Sequence, residues 1–386
     1  MIPLQNLTAN QVKHFQRSAL FVLTAILSLT ASATALPQQQ DSTVLVNPLL
    51  PVGPDPWVSY KDGFYYYTNT TVTNITLWKT RNMADLGHAE KKVVWTPPPG
   101  QPYSKDLWAP EIHFLEGKWY VYFAADAEKN KSHRIWVIET ASADPLQGEW
   151  KLVGEVNDPA NKWGIDASVF ENRGVLYLIW SGWEGDVNGT QNIYIARLKN
   201  PWTVAGQRVR ISTPQFAWEE HGDLDPMKSP DDPPHVNVNE GPEILQHGDK
   251  LFLIFSASGC WTDDYALGML TASADSNLLD PGSWKKSPDP VFWQSPEAGV
   301  YAPGHNSFFE SADGKQQWIL YHANSAPHQG CGDHRSPRAQ PFSWNADGSP
   351  NFGRPVSTKT HFRWPSGTEA DGDEMPSTVR SKGAGQ

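Results

Sequence analysis

Asp55 in "GPDPWV", Asp166 in "GIDASV" and Glu240 in "NEGPEI" each open an apolar stretch, and each stands eight residues before a glycine: Gly63, Gly174 and Gly248. Taken singly, such acids are turn formers or strand-end caps. The shared offset changes that reading. Applied to Gly117 and Gly314 as well, it selects Asp55, Ala109, Asp166, Glu240 and Asn306, three acids in five positions of a chain with 42 Asp and Glu among 386 residues. Three carboxylates gathered in one cavity can hold a hard cation such as calcium, or divide general acid and base work between them.

The glycines that define the offset belong to a repeat. "DPWVSYKDGFYYYT", "APEIHFLEGKWYVYFA", "DASVFENRGVLYLIWS", "EGPEILQHGDKLFLIFS" and "NSFFESADGKQQWILYH" share one plan of apolar strand, polar-Gly turn and aromatic strand, with turn glycines spaced by 54, 57, 74 and 66 residues. Each predicts a β-hairpin. After the first four come third strands in "ITLWKT", "RIWVIETA", "NIYIARL" and "YALGMLTA", and fourth strands in "VVWT", "WKLVGEV", "VRIST" and "PVFW". Five four-stranded units without an amphipathic helix between them predict an all-β, five-bladed β-propeller, with a β-sandwich as the alternative.

Equivalent strand positions in a propeller form a ring about its axis. Asp55 on the first blade and Glu240 on the fourth are then about 144° apart, with Asp166 about 72° from Glu240. That arrangement suits glycoside hydrolysis with inversion, where acid and base stand roughly 6.5–9.5 Å apart to admit a sugar and a water. Asp55 is the expected base and Glu240 the expected acid. The charge of Asp166 is expected to help keep Glu240 protonated. Glu111 and Glu243, also near strand starts, are expected to bond to turns or loops.

The remaining composition narrows the class. With 18 Trp, 12 Tyr and 15 Phe the chain suits strands and sugar stacking, and a net charge of −11 argues against a nucleic-acid partner. Lys13 and Arg17 precede an apolar run ending in small residues, which predicts a secretory signal peptide over 1–35 rather than a membrane anchor. The expected mature protein is extracellular, with the propeller over 36–365 and a disordered tail over 366–386. Asn69, Asn74, Asn130 and Asn188 head glycosylation sequons, which favour surface loops. Cys260 and Cys331 permit one disulfide or two buried thiols. His322, His328, Cys331 and His334 crowd one stretch, but loop residues and a disulfide explain them better than zinc. No phosphate loop, HExxH helix or G-x-S-x-G elbow is present.

In combination, "GPDPWV", "WAPEIHFLEGKWYVYFA", "GIDASVFENRGVLYLIWSG", "NEGPEILQHGDKLFLIFSASG" and "PGHNSFF" resemble glycoside hydrolase family 43, five-bladed propeller enzymes of arabinan and xylan, from about Asn47 to Trp364. The resemblance implies Asp55 as general base, Asp166 as pKa modulator and Glu240 as general acid. It further implies Trp108 as an aromatic wall of the sugar pocket and Arg338 in "HRSPRAQPFSW" as an arginine on the bound sugar. His305 in "GHNSFF" is implied as a channel histidine holding calcium or another ion through water, although a histidine there is otherwise a core residue. No cofactor is implied for the chemistry. "SASGCWTDDYALGML" and "HQGCGDHRSPRAQPF" look most like the exo-acting α-L-arabinofuranosidase branch, with arabinose-containing plant polysaccharides as substrate. β-Xylosidase and endo-arabinanase members share the same triad. The rival of another class is a glycan-binding propeller without activity, which has no need of three acids at one ring position.

Overall fold

A computed structural model describes residues 44–156, 158–227 and 232–364. The expected signal peptide over 1–35 and tail over 366–386 lie outside those residues. A short clasp pairs β1 (Val44–Val46) with β22 (His361–Arg363). Blade 1 holds β2 (Trp57–Lys61), β3 (Phe64–Thr68), β4 (Ile75–Thr80) and β5 (Glu90–Trp95). Blade 2 holds β6 (Lys105–Leu115), β7 (Lys118–Asp126), β8 (Arg134–Thr140) and β9 (Lys151–Glu155). In blade 3 are β10 (Gly164–Asn172), β11 (Val175–Trp183), β12 (Gln191–Asn200) and β13 (Thr203–Ser212). Blade 4 contains β14 (Asn239–His247), β15 (Lys250–Ala257), β16 (Ala266–Ser273) and β17 (Lys285–Lys286). Blade 5 contains β18 (Tyr301–Glu310), β19 (Gln317–Asn324), β20 (Ser336–Trp344) and β21 (Pro350–Asn351). Helix among the described residues is confined to 3-10 turns, and none is long and apolar enough to cross a membrane.

The five antiparallel sheets are the expected blades. Their first strands pack in sequence, β2 on β6, β6 on β10, β10 on β14 and β14 on β18, and β18 returns to β2 to close the ring. Apolar residues fill the spaces between sheets, as face-to-face sheet packing requires. Trp57, Leu77, Ile112 and Trp119 share the core of blades 1 and 2, while Leu45 and Trp364 join Tyr65 and Trp318 where blade 5 meets blade 1. One expectation differs: "PVFW" supplies only an isolated bridge from Phe292 to Leu267, and the fourth strand of blade 4 is Lys285–Lys286. Pro290 removes a donor that a longer ladder would need.

A recurring distortion of the first strands aims their side chains at the axis. Asp55, Ala109, Asp166, Gly241 and His305 all have left-handed backbone, with φ of 55°, 43°, 56°, 53° and 47°. In β6, β10, β14 and β18 this residue lies within a register shift against the second strand. Bulges of this kind re-aim a side chain at the cost of local strain. The equivalence corrects the count of eight. Gly63, Gly117 and Gly174 are second in their two-residue turns, but Gly248 is first, and blade 5 has a longer connection. Glu240 therefore precedes the blade-4 position, which Gly241 holds, and His305 rather than Asn306 holds that of blade 5.

Candidate active site

Asp55, Asp166, Glu240, Trp108 and His305 line one cavity of about 420 Å³ at the end of the ring where the first strands begin. A cavity of that size suits a small ligand. The carboxyls are more than nine-tenths buried and sit on three different blades, but their partners differ.

Asp55 is held by donors. Arg335 Nη1 bonds its Oδ1 at 2.8 Å, and Thr70 Oγ1 donates to Oδ2 at 2.7 Å. Its backbone N–H donates to His322 Nδ1 at 3.0 Å, and His305 Nδ1 is 3.4 Å from Oδ1. Burial resists ionisation, but Arg335, the two histidines and Thr70 outweigh it and hold the carboxyl below the usual carboxylate range. Burial keeps His305 and His322 themselves below ordinary histidine values, so Arg335 is the permanent charge of this group.

Asp166 and Glu240 sit in the opposite field. Burial, then the nearby charge of Asp55, raises Glu240 to about 7 against the pull of Tyr265 and Arg335. Tyr265 donates to Glu240 Oε1 at 2.8 Å. Asp166 is raised by burial and by Glu240, although the Gly241 N–H donates to its Oδ2 at 2.9 Å. Two neighbouring buried acids do not ionise together readily, so the pair retains a proton into neutral pH.

Trp108 stacks on His133 with ring centroids 4.0 Å apart and packs against Trp163 and Trp183, giving the cavity an aromatic wall. Arg338 does not line the cavity. It lies within β20, fully buried, and donates to Ser325 Oγ and Ser336 Oγ. Arg335, three residues earlier in the loop that enters β20, takes the position expected of it. The difference is one of placement along the strand, because a residue inside β20 packs between sheets while one ahead of it reaches the mouth.

Sequence reasoning also missed Tyr265, Thr70 and His322, whose roles arise only from contacts between distant segments. Glu111 bonds His113 Nε2 through Oε2 at 3.0 Å rather than a turn or loop. Glu243 accepts from the Phe308 backbone of blade 5 and acts on Glu111 electrostatically, so both face the axis. Cys260 and Cys331 form a disulfide in the cavity wall. Of the clustered histidines, His322 turns to Asp55 and His328 to Asp263. Asn69 is buried and donates to Thr70 O, unlike a surface sequon, whereas Asn130 and Asn188 line the cavity.

The axial ion can be judged by its donors. Among the described residues no three His, Cys, Asp or Glu side chains converge to hold a metal. His305 Nδ1 already faces Asp55, and its backbone N–H donates to Ser256 Oγ. The side chains present do not form a direct coordination shell.

The family model for glycosyl hydrolases family 43 matches residues 45–350. An extracellular exo-α-(1→5)-L-arabinofuranosidase of Streptomyces avermitilis is 38% identical over 350 residues, covering 88% of this chain and 69% of that protein. An enzyme named α-L-arabinofuranosidase 43, of Humicola insolens, is 35% identical over 81% of this chain and 63% of its own. The crystal structure of an α-L-arabinofuranosidase from Lactobacillus brevis superimposes with a TM-score of 0.74 at 35% identity, covering 82% of this chain and 98% of that one. A match that runs from the clasp through all five blades, and so takes in the carboxylate cavity, places the chain in glycoside hydrolase family 43.

Proposed function

We propose that the protein is an extracellular, inverting, exo-acting α-L-arabinofuranosidase that removes terminal arabinofuranosyl groups from arabinan or arabinoxylan. The observation that carries this reading is the opposite electrostatic setting of two carboxyls in one cavity, Asp55 held ionised and Glu240 held protonated. Environments that push two acids apart in this way assign base and acid. The named activities of the relatives, one of them extracellular, supply the substrate class and the compartment.

In the proposed reaction a water between Asp55 and the anomeric carbon gives its proton to the Asp55 carboxylate as its oxygen attacks. The C1–O bond breaks on the opposite face, and Glu240 delivers its proton to the departing oxygen. The sugar leaves with inverted configuration. Asp166 shares the proton economy of Glu240 and fixes Gly241 beside it. Trp108 presents an apolar wall to the sugar. Family 43 chemistry needs no cofactor, and no step here passes through an ion. An ion beside His305 would be held through water.

Glu240→Gln and Asp55→Asn are each expected to lower kcat on an arabinan oligosaccharide by about 10²–10⁴-fold. The same measurements on 4-nitrophenyl α-L-arabinofuranoside should show a smaller loss for Glu240→Gln, because nitrophenolate departs with little protonation. Proton NMR of the first product reports its anomer. A retained anomer overturns the mechanism, and sugar binding without turnover of any pentoside overturns the enzyme.

A further inference from the structure

Tyr265 lies just ahead of β16 and is 1% exposed. A buried tyrosine ordinarily satisfies its hydroxyl on whatever acceptor is near. Here the acceptor is Glu240 Oε1, 2.8 Å away, and the hydroxyl belongs to a chain that runs in one direction. The backbone N–H of His305 donates to Ser256 Oγ at 2.7 Å. Ser256, fully buried, thus has its own hydrogen free to bond the Tyr265 oxygen. Tyr265 in turn gives its hydrogen to Glu240. Since Oε1 accepts, a protonated Glu240 carries its hydrogen on the other oxygen, Oε2.

The ring is as fixed as the hydroxyl. It lies parallel to His322, with centroids 5.7 Å apart and planes 4° apart, and His322 Nδ1 accepts the N–H of Asp55. A Cβ at Gly304 would fall 2.1 Å from a carbon of the Tyr265 ring, so β18 carries a glycine where the ring must pass. One aromatic stack thereby touches the settings of both carboxyls.

Resting on the reading of Glu240 as the acid, we propose that Tyr265, backed by Ser256, is a positioning residue that keeps the acid's proton on Oε2 and turned to the glycosidic oxygen. Among the described residues Asp55 and Arg335 act on this carboxyl and Asp166 neighbours it, with His305 beside Gly241 and His322 stacked on the phenol, while the hydrogen bond to Oε1 comes from Tyr265.

Tyr265→Phe keeps the ring and the stack, and removes the hydroxyl that donates to Glu240 and accepts from Ser256. Its expected signature is an unchanged KM and a kcat about tenfold lower on an arabinan oligosaccharide, with little loss on 4-nitrophenyl α-L-arabinofuranoside. The alkaline limb of kcat/KM should also move up by about one pH unit, because a donor to the charged form is gone. Ser256→Ala should move the limb the same way by less. Equal losses on both substrates, or an unmoved limb in both variants, overturn the proposal. Glu240→Gln separates the two ideas, since full activity in that variant overturns the assignment of the acid itself.

Discussion

At the residue scale, the site works by giving similar carboxyls unlike neighbours. Asp55 is paired with a guanidinium that stays charged, and Glu240 with a phenol that stays neutral. Arg335 and Arg338 allow this to be tested within one segment. In Arg335→Met the burial of Asp55 is unopposed by a permanent charge, so its carboxyl is expected to rise. An acid limb should then enter the measurable range of kcat/KM, activity being lost as pH falls through the new value, and kcat/KM should drop by about 10²-fold. Arg338→Met removes a buried charge bonded to hydroxyls, and the expected outcome is an unchanged pH profile with a stability change of about 1–3 kcal/mol in either direction. A shifted profile in Arg338→Met and none in Arg335→Met would reverse the assignment. The spacing of "HRSPRAQ" offers two arginines and no reason to choose, because the choice depends on where the loop ends and β20 begins.

At the element scale, the loops that follow β15 and β19 carry the partners of the two carboxyls and are joined by the Cys260–Cys331 disulfide. Tyr265 follows Cys260 by five residues and Arg335 follows Cys331 by four. The bond spans 71 residues of chain, and loop-entropy arguments assign such a link about 4 kcal/mol. The expected result for Cys260→Ser/Cys331→Ser is therefore twofold: a lower melting temperature, and at temperatures where the variant is folded a raised KM for arabinose-bearing substrates. A KM equal to wild type would make the bond a staple without influence on the site. The blades themselves were legible because each hairpin pairs an apolar run with a Gly-containing turn and an aromatic run, the turn being of two residues in blades 1 to 4 and longer in blade 5. The bulges were not, because a register shift leaves no trace in the pattern of side chains. Counting from Gly248 reached Glu240 only because that glycine sits one place earlier in its turn than its counterparts.

At the scale of the whole molecule, closing five sheets around an axis traps ionisable groups of both kinds in the interior, and the pH dependence of stability follows from their sum. Burial raises Asp166, Glu111 and Glu243 above ordinary carboxyl values and Glu240 from 4.5 to about 7. Burial also lowers His113 from 6.5 to about 3, and lowers His305 and His322. Between the unperturbed values of 4.5 and 6.5 the unfolded chain has released the carboxyl protons that the fold keeps, and has bound histidine protons that the fold refuses. The two effects have opposite slopes and nearly cancel. Above 6.5 the histidines are neutral in both states, and the retained carboxyl protons alone make stability fall as pH rises. Below about 4 the raised carboxyls are protonated in both states, and the histidines make stability fall with pH. Asp55 adds to that acid loss, since its depressed value contributes stability only while it is ionised. The expected melting curve is a plateau over roughly pH 4.5–6.5 with a decline on each side. Glu243→Gln, which cannot ionise, should lessen the alkaline decline and leave the acid side unchanged. A melting temperature that does not fall between pH 6.5 and 8.5 would show that these acids are ionised in the folded protein, and would overturn the protonated state of Glu240 on which the proposed reaction depends.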